Sequence, residues 1–535
     1  MLIILCVFAL AFAASLCLTA GIRNLAHHVN FVDRPDGLRK MQREPVALGG
    51  GLAIYGACFI TLAFVALTRS SWDWKAIQAF FLLPGYQSPG LNFHQIGLLF
   101  AAAGVLCLVG LYDDRYHLRG RTKLLWQFLA CALIVYSPGD SALYFQQINF
   151  LGEPVLLGHI GPLITMGWLI LSINSFNLID GVDGLAGTLG VLFSATFGVM
   201  ALMMGNLVDG LVAFTLVGAI LGFLRYNANP ASIYMGDAGS MFIGLVLGTL
   251  AIRSSLKGQA VSLYAAPLAV WTIPLLDSLM AVLRRKLTGR SIYATDRGHI
   301  HHRMLTQGLT PRQTVGLIGG LCLITSLGAV MSLYFQREWL GWAGIFVVFG
   351  LLVGSRLFGH VELLLLNSKM MGFGRAMVKW GGVRRVNQTS QQLQGKLQWE
   401  EKIWIALVES AERFGITQLK LNLYLPQLHE DFHASWKSPE ADNSQQQWRL
   451  QLPLTTSDMI VGSLNVVGTQ NPNRAASAQL TEFLDFLEPL EAQLASLLAL
   501  PAAPVTAPRP AAIPAPVALP NTLGAMNLSA ANKAV

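Results

Sequence analysis

The sequence predicts an all-α polytopic membrane protein with about eleven transmembrane helices, followed by a small C-terminal cytoplasmic α+β domain and a disordered tail. The 535 residues are 53% hydrophobic and 12% charged, whereas a soluble domain carries about 25% charged residues. The mean hydropathy is +0.50. Long apolar segments recur as far as residue 366, and segments with the patterns of a soluble domain follow. A wholly soluble protein is therefore excluded.

Eleven apolar segments approach the length of about 20 residues that a helix needs to cross a bilayer. They are residues 2–21, 47–68, 94–112, 124–138, 160–176, 185–205, 209–226, 238–252, 261–283, 313–335 and 339–366. The first lacks the basic residues that begin a signal peptide, so we expect a retained helix.

Lysine and arginine are concentrated in the loops after the odd-numbered segments, for example at Arg115, Arg121 and Arg284. Such loops stay on the cytoplasmic side of a membrane, so these loops and the C-terminal region are predicted to be cytoplasmic. The net charge of +8 then follows from membrane topology and indicates no nucleic-acid partner. The six cysteines lie in apolar segments without the spacing of a metal or redox site.

The chain divides by composition into a transmembrane domain (1–366), a polar cytoplasmic linker (367–396), a small soluble α+β domain (397–500) and a Pro/Ala-rich tail (501–535). In the soluble domain, "QLKLNLYL" and "WRLQLPL" alternate as strands do, and "QLTEFLDFLEPLEAQLASLL" has a helical period. The tail lacks the apolar residues of a core, so disorder is expected. A regulatory domain and a stabilising appendage both remain open.

Two adjacent acids, Asp113 and Asp114, stand where the third apolar segment ends, in "GLYDDRYHLRGRTKLLWQ". Neighbouring carboxylates repel each other unless a cation lies between them, and Mg²⁺ is a cation that carboxylates bind together with substrate phosphates. The alternative is a solvated acidic loop balanced by the neighbouring arginines.

A second polar stretch, "SFNLIDGVDGLAG", follows the fifth segment. Four polar residues repeat every third position, which places them on one side of a helical end: Asn174, Asn177, Asp180 and Asp183. Polar groups at membrane depth are costly and are usually functional. The alternative, that Asp183 caps the next helix, explains one of these residues.

Two further stretches lie on the same predicted face. In "RYNANPASIYMGDAGS", Asp237 stands at a helix start where it can reach a metal, and the ring of Tyr234 can stack on a base. In "DRGHIHHRML", histidines lie among arginines, which favours phosphate binding over zinc. A turn with a helix cap and a basic loop with incidental histidines are the alternatives. No comparable polar cluster is predicted on the outer face.

In their order, "LYDD", "NSFNLIDGVDGLAG", "NPASIYMGDAGS" and "DRGHIHHRML" resemble the polyprenyl-phosphate N-acetylhexosamine-1-phosphate transferases of glycosyltransferase family 4. The resemblance covers about residues 1–366. It implies transfer of an N-acetylhexosamine phosphate from a UDP-sugar to undecaprenyl phosphate, with release of UMP and with Mg²⁺ or Mn²⁺ as cofactor. The "HIHH" form and the eleventh helix favour UDP-GlcNAc as donor.

The resemblance also implies a cellular location and a biosynthetic pathway. The site would lie on the cytoplasmic side of the bacterial inner membrane, and the reaction would be the first membrane step of a cell-envelope polysaccharide such as O-antigen. A homodimer is a further expectation. Whether the lipid phosphate attacks directly, or an aspartate first takes the phospho-sugar, is left open.

Roles are carried over by residue. Asp113 is the expected base or nucleophile and Asp114 its support, with Asp180 and Asp183 also in the catalytic set. The metal ligands would be Asp237, Asp113 and Asp114, and the nucleotide would meet Asn177, Asp183, Tyr234 and Lys40. The phosphates would meet His299, His301, His302, Arg297 and Arg303.

The main alternative is a secondary transporter with an ion or substrate site on the inner face. Transporters hold such acids near the bilayer midplane between inverted repeats, and the sequence shows neither feature. A CDP-alcohol phosphotransferase needs alanine and arginine after the first Asp-Gly, which "DGVDGLAG" lacks. A degenerate scaffold is a third alternative, which the intact polar set opposes.

Overall fold

The structure is a computed structural model of the full chain. It describes residues 2–34, 44–71, 93–137, 143–150, 153–256, 265–288, 298–355, 357–359, 362–363, 366, 387–394, 399, 403–411, 413–425, 430–438, 447–456, 459–469 and 480–487.

The membrane domain is a bundle of helices. They are α1 (Leu2–His28), α2 (Gly50–Leu67), α3 (Phe93–Tyr116), α4 (Gly120–Val135), α5 (Ile160–Ile179), α6 (Leu185–Met203), α7 (Leu207–Asn227), α8 (Gly236–Leu256), α9 (Ala265–Val270), α10 (Thr272–Thr288), α11 (Ile300–Thr306), α12 (Pro311–Tyr334) and α13 (Glu338–Gly354). Two antiparallel ribbons accompany them, β1 (Val32–Asp33) with β2 (Val46–Ala47) and β3 (Gln147–Phe150) with β4 (Glu153–Leu156). One 3₁₀ turn covers Arg69–Ser71.

Within the described residues, 8 helices are long and apolar enough to cross a membrane, namely α1, α2, α3, α5, α6, α7, α8 and α12. The protein is therefore a multi-pass membrane protein, and eight of the eleven predicted segments are confirmed as helices long and apolar enough to span. The other three differ in length or continuity. The segments 124–138 and 339–366 overlap the shorter helices α4 and α13, and the segment 261–283 overlaps two helices, α9 and α10.

The interruption between α9 and α10 has a local cause in Pro274, which stands in the first turn of α10. Proline has no N–H to donate, so the carbonyl of Val270 loses its normal partner. The turn is otherwise continuous, because Trp271 N–H bonds Pro267 O at 3.1 Å and Leu275 N–H bonds Trp271 O at 3.0 Å. The predicted single span is thus a helix with one break.

Helix α8 lies at the centre of the bundle, because most of its apolar surface is covered by its neighbours. Small residues allow that close packing. A Cβ at Gly51 of α2 would lie 2.1 Å from the backbone nitrogen of Gly239, and one at Gly110 of α3 would lie 2.3 Å from that of Ala238. Two helices therefore approach the backbone at the start of α8.

The ribbon of β1 and β2 is joined to the segment before α8. Ala47 pairs with Ile233 in a parallel bridge, and Tyr234 N–H bonds Ala47 O at 2.8 Å. The amides of Gly50 and Gly51 in turn donate to Tyr234 O and Met235 O, each at 3.0 Å. This ladder fixes the backbone that leads into α8.

A buried polar cluster also lies at the far end of α7 and α8, where the sequence predicts none. Arg253 Nε lies 2.5 Å from Asp209 Oδ1, and its guanidinium also contacts Gln95, while Asn206 bonds Asp209. Asp209 is 18 residues before Asn227, so the cluster lies about 27 Å from the other end of α7. The expectation was wrong because these residues lie singly in separate segments and meet only by helix packing.

The C-terminal region contains an antiparallel sheet with its own core. Its strands are β5 (Asn387–Gln394), β6 (Ile416–Leu425), β7 (Glu430–Lys437), β8 (Gln447–Thr456) and β9 (Met459–Thr469), in the order β5-β7-β6-β9-β8. Helix α14 (Ile405–Ala411) and a helix at 480–487 accompany it. Buried side chains include Trp399, Trp404, Phe432 and Phe483. An α+β region is confirmed by these elements.

Strand β5 lies inside residues 367–396, which the sequence predicts to be a linker. Its sequence, "NQTSQQLQ", does not alternate between apolar and polar residues. The strand pairs with β7 through backbone hydrogen bonds at the edge of the sheet, and such pairing leaves no signal in hydropathy. The predicted disordered tail, 501–535, lies outside the described residues.

Gly51→Ala is expected to lower the free energy of unfolding by about 1 to 3 kcal/mol, because the added methyl overlaps the backbone of α8. Gly316→Ala in α12 is the matched control, since a Cβ there meets no atom within 4 Å. Thermal unfolding in detergent measures both. Equal melting temperatures for the two variants would contradict the proposed close packing.

Candidate functional site

One lysine and two aspartates from three helices meet at one end of the membrane domain. Asp113 lies in the last turn of α3, Lys123 near the start of α4 and Asp237 in the first turn of α8. Lys123 Nζ lies 2.6 Å from Asp113 Oδ2 and also contacts Asp237 Oδ2. The backbone N–H of Leu118 donates to Asp113 Oδ1 at 2.6 Å. Both oxygens of Asp113 are therefore in use.

Asp114 is bonded to the start of α8. The backbone N–H of Asp237 donates to Asp114 Oδ1 at 3.0 Å, and a carboxylate is favoured at that end of a helix. The other oxygen, Oδ2, is buried and has no hydrogen-bond partner among the described residues. Gly236 has φ +68, and a Cβ there would lie 2.3 Å from Asp114 Oδ2. Only glycine leaves room for this carboxylate.

The last turns of α5 contribute amides to the same cluster. Asn177 Nδ2 donates to Asp237 Oδ1 at 2.8 Å and to Ser240 Oγ at 2.9 Å. One turn earlier, Asn174 Nδ2 donates to Gln127 Oε1 at 2.7 Å. Asn177 therefore fixes the orientation of the Asp237 carboxylate.

Asp180 ends α5 and faces the other acids. Burial, followed by the charges of Asp237, Asp114 and Asp183, raises its pKa to about 7. In the part of the chain that the structure describes, Lys123 is the cation that is ion-paired with the Asp113 and Asp237 carboxylates. The site holds more negative charge than its lysine neutralises.

Asp183 joins two loops. Its Oδ2 accepts hydrogen bonds of 3.0 Å from Asn229 Nδ2 and from the backbone N–H of Ala231. Nearby, Asn227 Oδ1 accepts from Gly184 N–H at 3.1 Å. Helix α6 begins at Gly184 without a side-chain cap, so the helix-cap alternative for Asp183 is not observed. The two aspartates of "DGVDG" thus have different surroundings.

Tyr234 stands beside these loops with its backbone held by the ladder from α2. Burial raises the pKa of its hydroxyl to about 12, together with the charges of Asp183, Asp33 and Asp180. The ring is half-buried and lies on the side of the site where the two loops meet. That this ring stacks on a base stays a prediction.

The histidine segment reaches the "DGVDG" loop. A Cβ at Gly181 would lie 2.4 Å from His301 Nε2, so the ring rests on the glycine backbone. The rings of His299 and His301 are parallel with centroids 6.0 Å apart, and that of His302 lies 4.4 Å from His301. Burial and the neighbouring histidines lower the pKa of His301 to about 3. His301 is therefore a neutral hydrogen-bonding group.

The arginines of this segment are placed differently from the histidines. Arg303 Nη2 lies 2.6 Å from Glu362 Oε1, which also accepts from Arg284 Nη1 at 2.6 Å. Glu362 is fully buried. Arg303 is thus ion-paired with a buried carboxylate, and its contact with a phosphate stays a prediction. The predicted site residues Arg297 and Lys40 lie outside the described residues.

No three His, Cys, Asp or Glu side chains among the described residues converge tightly enough to hold a metal ion by themselves. Magnesium, however, usually binds through one or two carboxylates and completes its sphere with water and substrate phosphates. The Asp113 and Asp237 oxygens that converge on Lys123, and the unpartnered Asp114 Oδ2, are oxygen ligands of that kind. The donor set fits such a partly open site.

Sequence reasoning missed three residues of this region. Lys123 appears in the sequence as one more basic loop residue, directly before the predicted apolar segment 124–138. Asp277 and Glu362 are single acids within the predicted segments 261–283 and 339–366, and the structure pairs them with His299 and with Arg303. An acid near an apolar segment was the available signal.

The sequence model of the family described as glycosyl transferase family 4 matches residues 96–255. That range runs from α3 into α8 and includes the whole acid cluster. A decaprenyl-phosphate N-acetylglucosaminephosphotransferase of Mycolicibacterium smegmatis is 31% identical over 339 residues, which are 59% of this chain and 79% of that protein. The chain belongs to glycosyl transferase family 4.

Two other relatives extend the similarity. A probable undecaprenyl-phosphate N-acetylglucosaminyl 1-phosphate transferase of Bacillus subtilis is 29% identical over 374 residues, which are 70% of this chain and 96% of that protein. An undecaprenyl-phosphate alpha-N-acetylglucosaminyl 1-phosphate transferase of Escherichia coli is 29% identical over 327 residues, 59% of this chain and 81% of that protein. The family model and the three relatives each match only part of this family 4 protein.

Lys123→Met is expected to destabilise the protein by about 2 kcal/mol, because it leaves two carboxylates without their ammonium partner. This is less than the about 3 to 5 kcal/mol of a fully buried pair, since the lysine side chain is 21% exposed. Added Mg²⁺ should restore more of the melting temperature in this variant than in the parent. Lys286→Met, at an exposed position in α10, is the control. A variant as stable as the parent without Mg²⁺ would contradict the ion pair.

Proposed function

We propose that this protein transfers GlcNAc-1-phosphate from UDP-GlcNAc to undecaprenyl phosphate and releases UMP. The observation that carries the proposal is the meeting of Asp113, Asp237 and Lys123 from three helices, with Asn177 beside them. Family membership and the printed names of the relatives support the same reaction class and a polyprenyl phosphate acceptor.

The reaction joins two phosphorylated molecules. An oxygen of the lipid phosphate forms a bond to the phosphorus that carries the sugar, and the bond from that phosphorus to the bridging oxygen breaks. The bridging oxygen leaves with UMP and retains the electron pair. Negative charge gathers on the transferring group throughout, so catalysis depends on positioning and on cations.

The Lys123 ammonium is a positive charge that the protein itself supplies at the acid cluster. Asp113 and Asp237 hold its ammonium in place, and Asn177 holds Asp237. Asp237, Asp113 and Asp114 would hold Mg²⁺, with Mn²⁺ as a substitute. When bound, the ion neutralises phosphate charge and orients both substrates.

Direct attack by the lipid phosphate is favoured over an aspartyl intermediate. Both oxygens of Asp113 are engaged, one by Lys123 and one by Leu118 N–H, and the residue is 8% exposed. A phosphate monoester has a second pKa of about 6, so the acceptor is already ionised at neutral pH and needs no strong base. The role of Asp113 is then to hold cations.

The remaining site residues surround the donor. Tyr234 and the loops held together by Asp183 form the side where the uracil and ribose would lie. His299, His301 and His302 approach from the opposite loop and would meet the diphosphate. Asp180 lies between these two groups and is the acid whose ionisation a bound cation would favour. Lys40 and Arg297 would complete the nucleotide and phosphate contacts.

The topology proposed for this reaction has eleven spans, with α4, the α9–α10 pair and α13 crossing together with the eight longer helices. The site and the C-terminal domain then lie in the cytoplasm of a bacterium, at its inner membrane. The abundance of lysine and arginine in the loops near the site supports this orientation. A homodimer and a place at the first membrane step of envelope polysaccharide synthesis belong to the same proposal.

A transporter is less well supported by the geometry. The acid cluster lies at helix ends, where α3 and α5 finish and α8 begins. Transporter sites lie near the bilayer midplane at broken helices. The described break between α9 and α10 is a turn closed by backbone hydrogen bonds.

Purified protein in detergent, given undecaprenyl phosphate, UDP-GlcNAc and Mg²⁺, is expected to release UMP. Chelation with EDTA should stop the reaction and excess Mg²⁺ should restore it. Asp113→Asn should lower kcat by about 100- to 1,000-fold, the usual effect of losing a group that stabilises developing charge. UMP is measured by chromatography across a panel of UDP-sugars.

Asp485→Asn, at an exposed position in the C-terminal region, is the control for a carboxylate-to-amide change. It should leave kcat unchanged. Absence of UMP from every UDP-N-acetylhexosamine would overturn the proposed function, and full activity of Asp113→Asn would remove that residue from the site.

A further inference from the structure

Asp277 is a buried acid of α10 that the proposed reaction does not yet use. It is 1% exposed and lies in the amphipathic helix α10. A carboxylate in such a place is costly unless hydrogen bonds satisfy both its oxygens. Both are satisfied by one short segment, the start of α11.

The two carboxylate oxygens of Asp277 contact different groups. Asp277 Oδ1 accepts the backbone N–H of Ile300 at 2.9 Å, which fixes the first turn of α11. Asp277 Oδ2 lies 2.9 Å from His299 Nδ1. A carboxylate only accepts hydrogen bonds, so this contact requires the proton of His299 to be on Nδ1. The ring is then fixed in orientation as well as in protonation.

The held ring is stacked against the active-site loop. His299 lies parallel to His301, and His301 rests on Gly181 between the two aspartates of "DGVDG". His301 Nδ1 is itself buried without a partner among the described residues. Among the described residues, the hydrogen bonds that Asp277 makes with His299 and with the Ile300 N–H therefore anchor this pair of rings, which packs against Gly181 on its other side.

We propose that Asp277 is a positioning residue for phosphoryl transfer: it fixes His299 with the proton on Nδ1, so that Nε2 is the atom offered to the substrate phosphates. The inference rests on the proposed function and adds a residue that acts through His299. With Nδ1 bonded to a carboxylate, the ring can carry a second proton on Nε2 as an imidazolium, which is a cation suited to phosphate.

Asp277→Asn separates this role from folding. The N–H of Ile300 still needs an acceptor, so the amide oxygen takes that contact and the amide NH₂ faces His299 Nδ1. The ring must then accept at Nδ1 and carry its proton on Nε2, and the imidazolium form is lost. The melting temperature is expected to stay near that of the parent because α11 keeps its hydrogen bond.

The expected kinetic result is a fall in kcat of about 10- to 100-fold, the range seen when the partner that orients a functional histidine is removed. The KM for UDP-GlcNAc should change less than about twofold, because His299 acts on charge that develops in the reaction. The double variant Asp277→Asn/His299→Gln should be no slower than His299→Gln alone. A purely structural role would instead make the two losses multiply.

Ser278→Ala is the matched control on the same helix, since its buried hydroxyl has no hydrogen-bond partner among the described residues. It should keep the parent's kcat. Full activity of Asp277→Asn, or multiplying losses in the double variant, overturns the proposal.

Nitrogen-15 NMR of histidine-labelled protein tests the same claim without an assay of activity. The His299 signals are identified by their loss in His299→Gln. The expected result is a protonated Nδ1 in the parent and an unprotonated Nδ1 in Asp277→Asn, and an unprotonated Nδ1 in the parent overturns the proposal. An inactive parent with the expected spectrum would reject the proposed function and leave the positioning of His299 supported.

Discussion

The repulsion between carboxylates that are buried or partly buried at one end of the membrane domain is the constraint on which the site depends. Helices α3 and α8 hold three acids close together, although their like charges repel: Asp113, Asp114 and Asp237. Lys123 offsets part of the cost, a helix N-terminus offsets another part, and Asn177 orients one of the acids. The remainder is the part of the cost that a cation and the substrates would offset in the reaction we propose.

Close backbone packing is what holds the acids at these distances. Gly51 and Gly110 allow two helices to touch the first turn of α8, and Gly236 allows Asp114 to lie against that turn. A helix dipole weakens within one turn, so this contact must be made at the end of α8 and nowhere else along it. The glycines of "ALGGG" and "MGDAG", which look like loop residues in the sequence, therefore set the geometry of the acids.

Sequence reasoning identified the acids and histidines because ionisable residues at the ends of apolar segments stand out. It placed the spans because hydropathy depends on the residues of each segment alone. It missed the pairing of Lys123, the bond from Asp277 and the ladder between Ala47 and Tyr234, because each joins residues far apart in the chain. The sequence also did not predict the polar strand β5. Backbone hydrogen bonds hold this strand at the edge of the sheet, and such bonds do not depend on the type of side chain.

The two polar clusters of the membrane domain differ in a way that separates structure from function. At the far end, Asp209 is matched by Arg253, and Gln95 and Asn206 complete the hydrogen bonds. That cluster is balanced, and a balanced buried pair joins helices at little net gain or cost. At the other end, the Asp113 and Asp237 carboxylates share one lysine. One buried carboxylate oxygen and one histidine ring nitrogen lack a partner among the described residues. Folding alone gains nothing from such a deficit of positive charge and of hydrogen bonds. A cation and phosphate groups would complete it, which is the physical reason for proposing that the reaction takes place at the unbalanced end of the bundle.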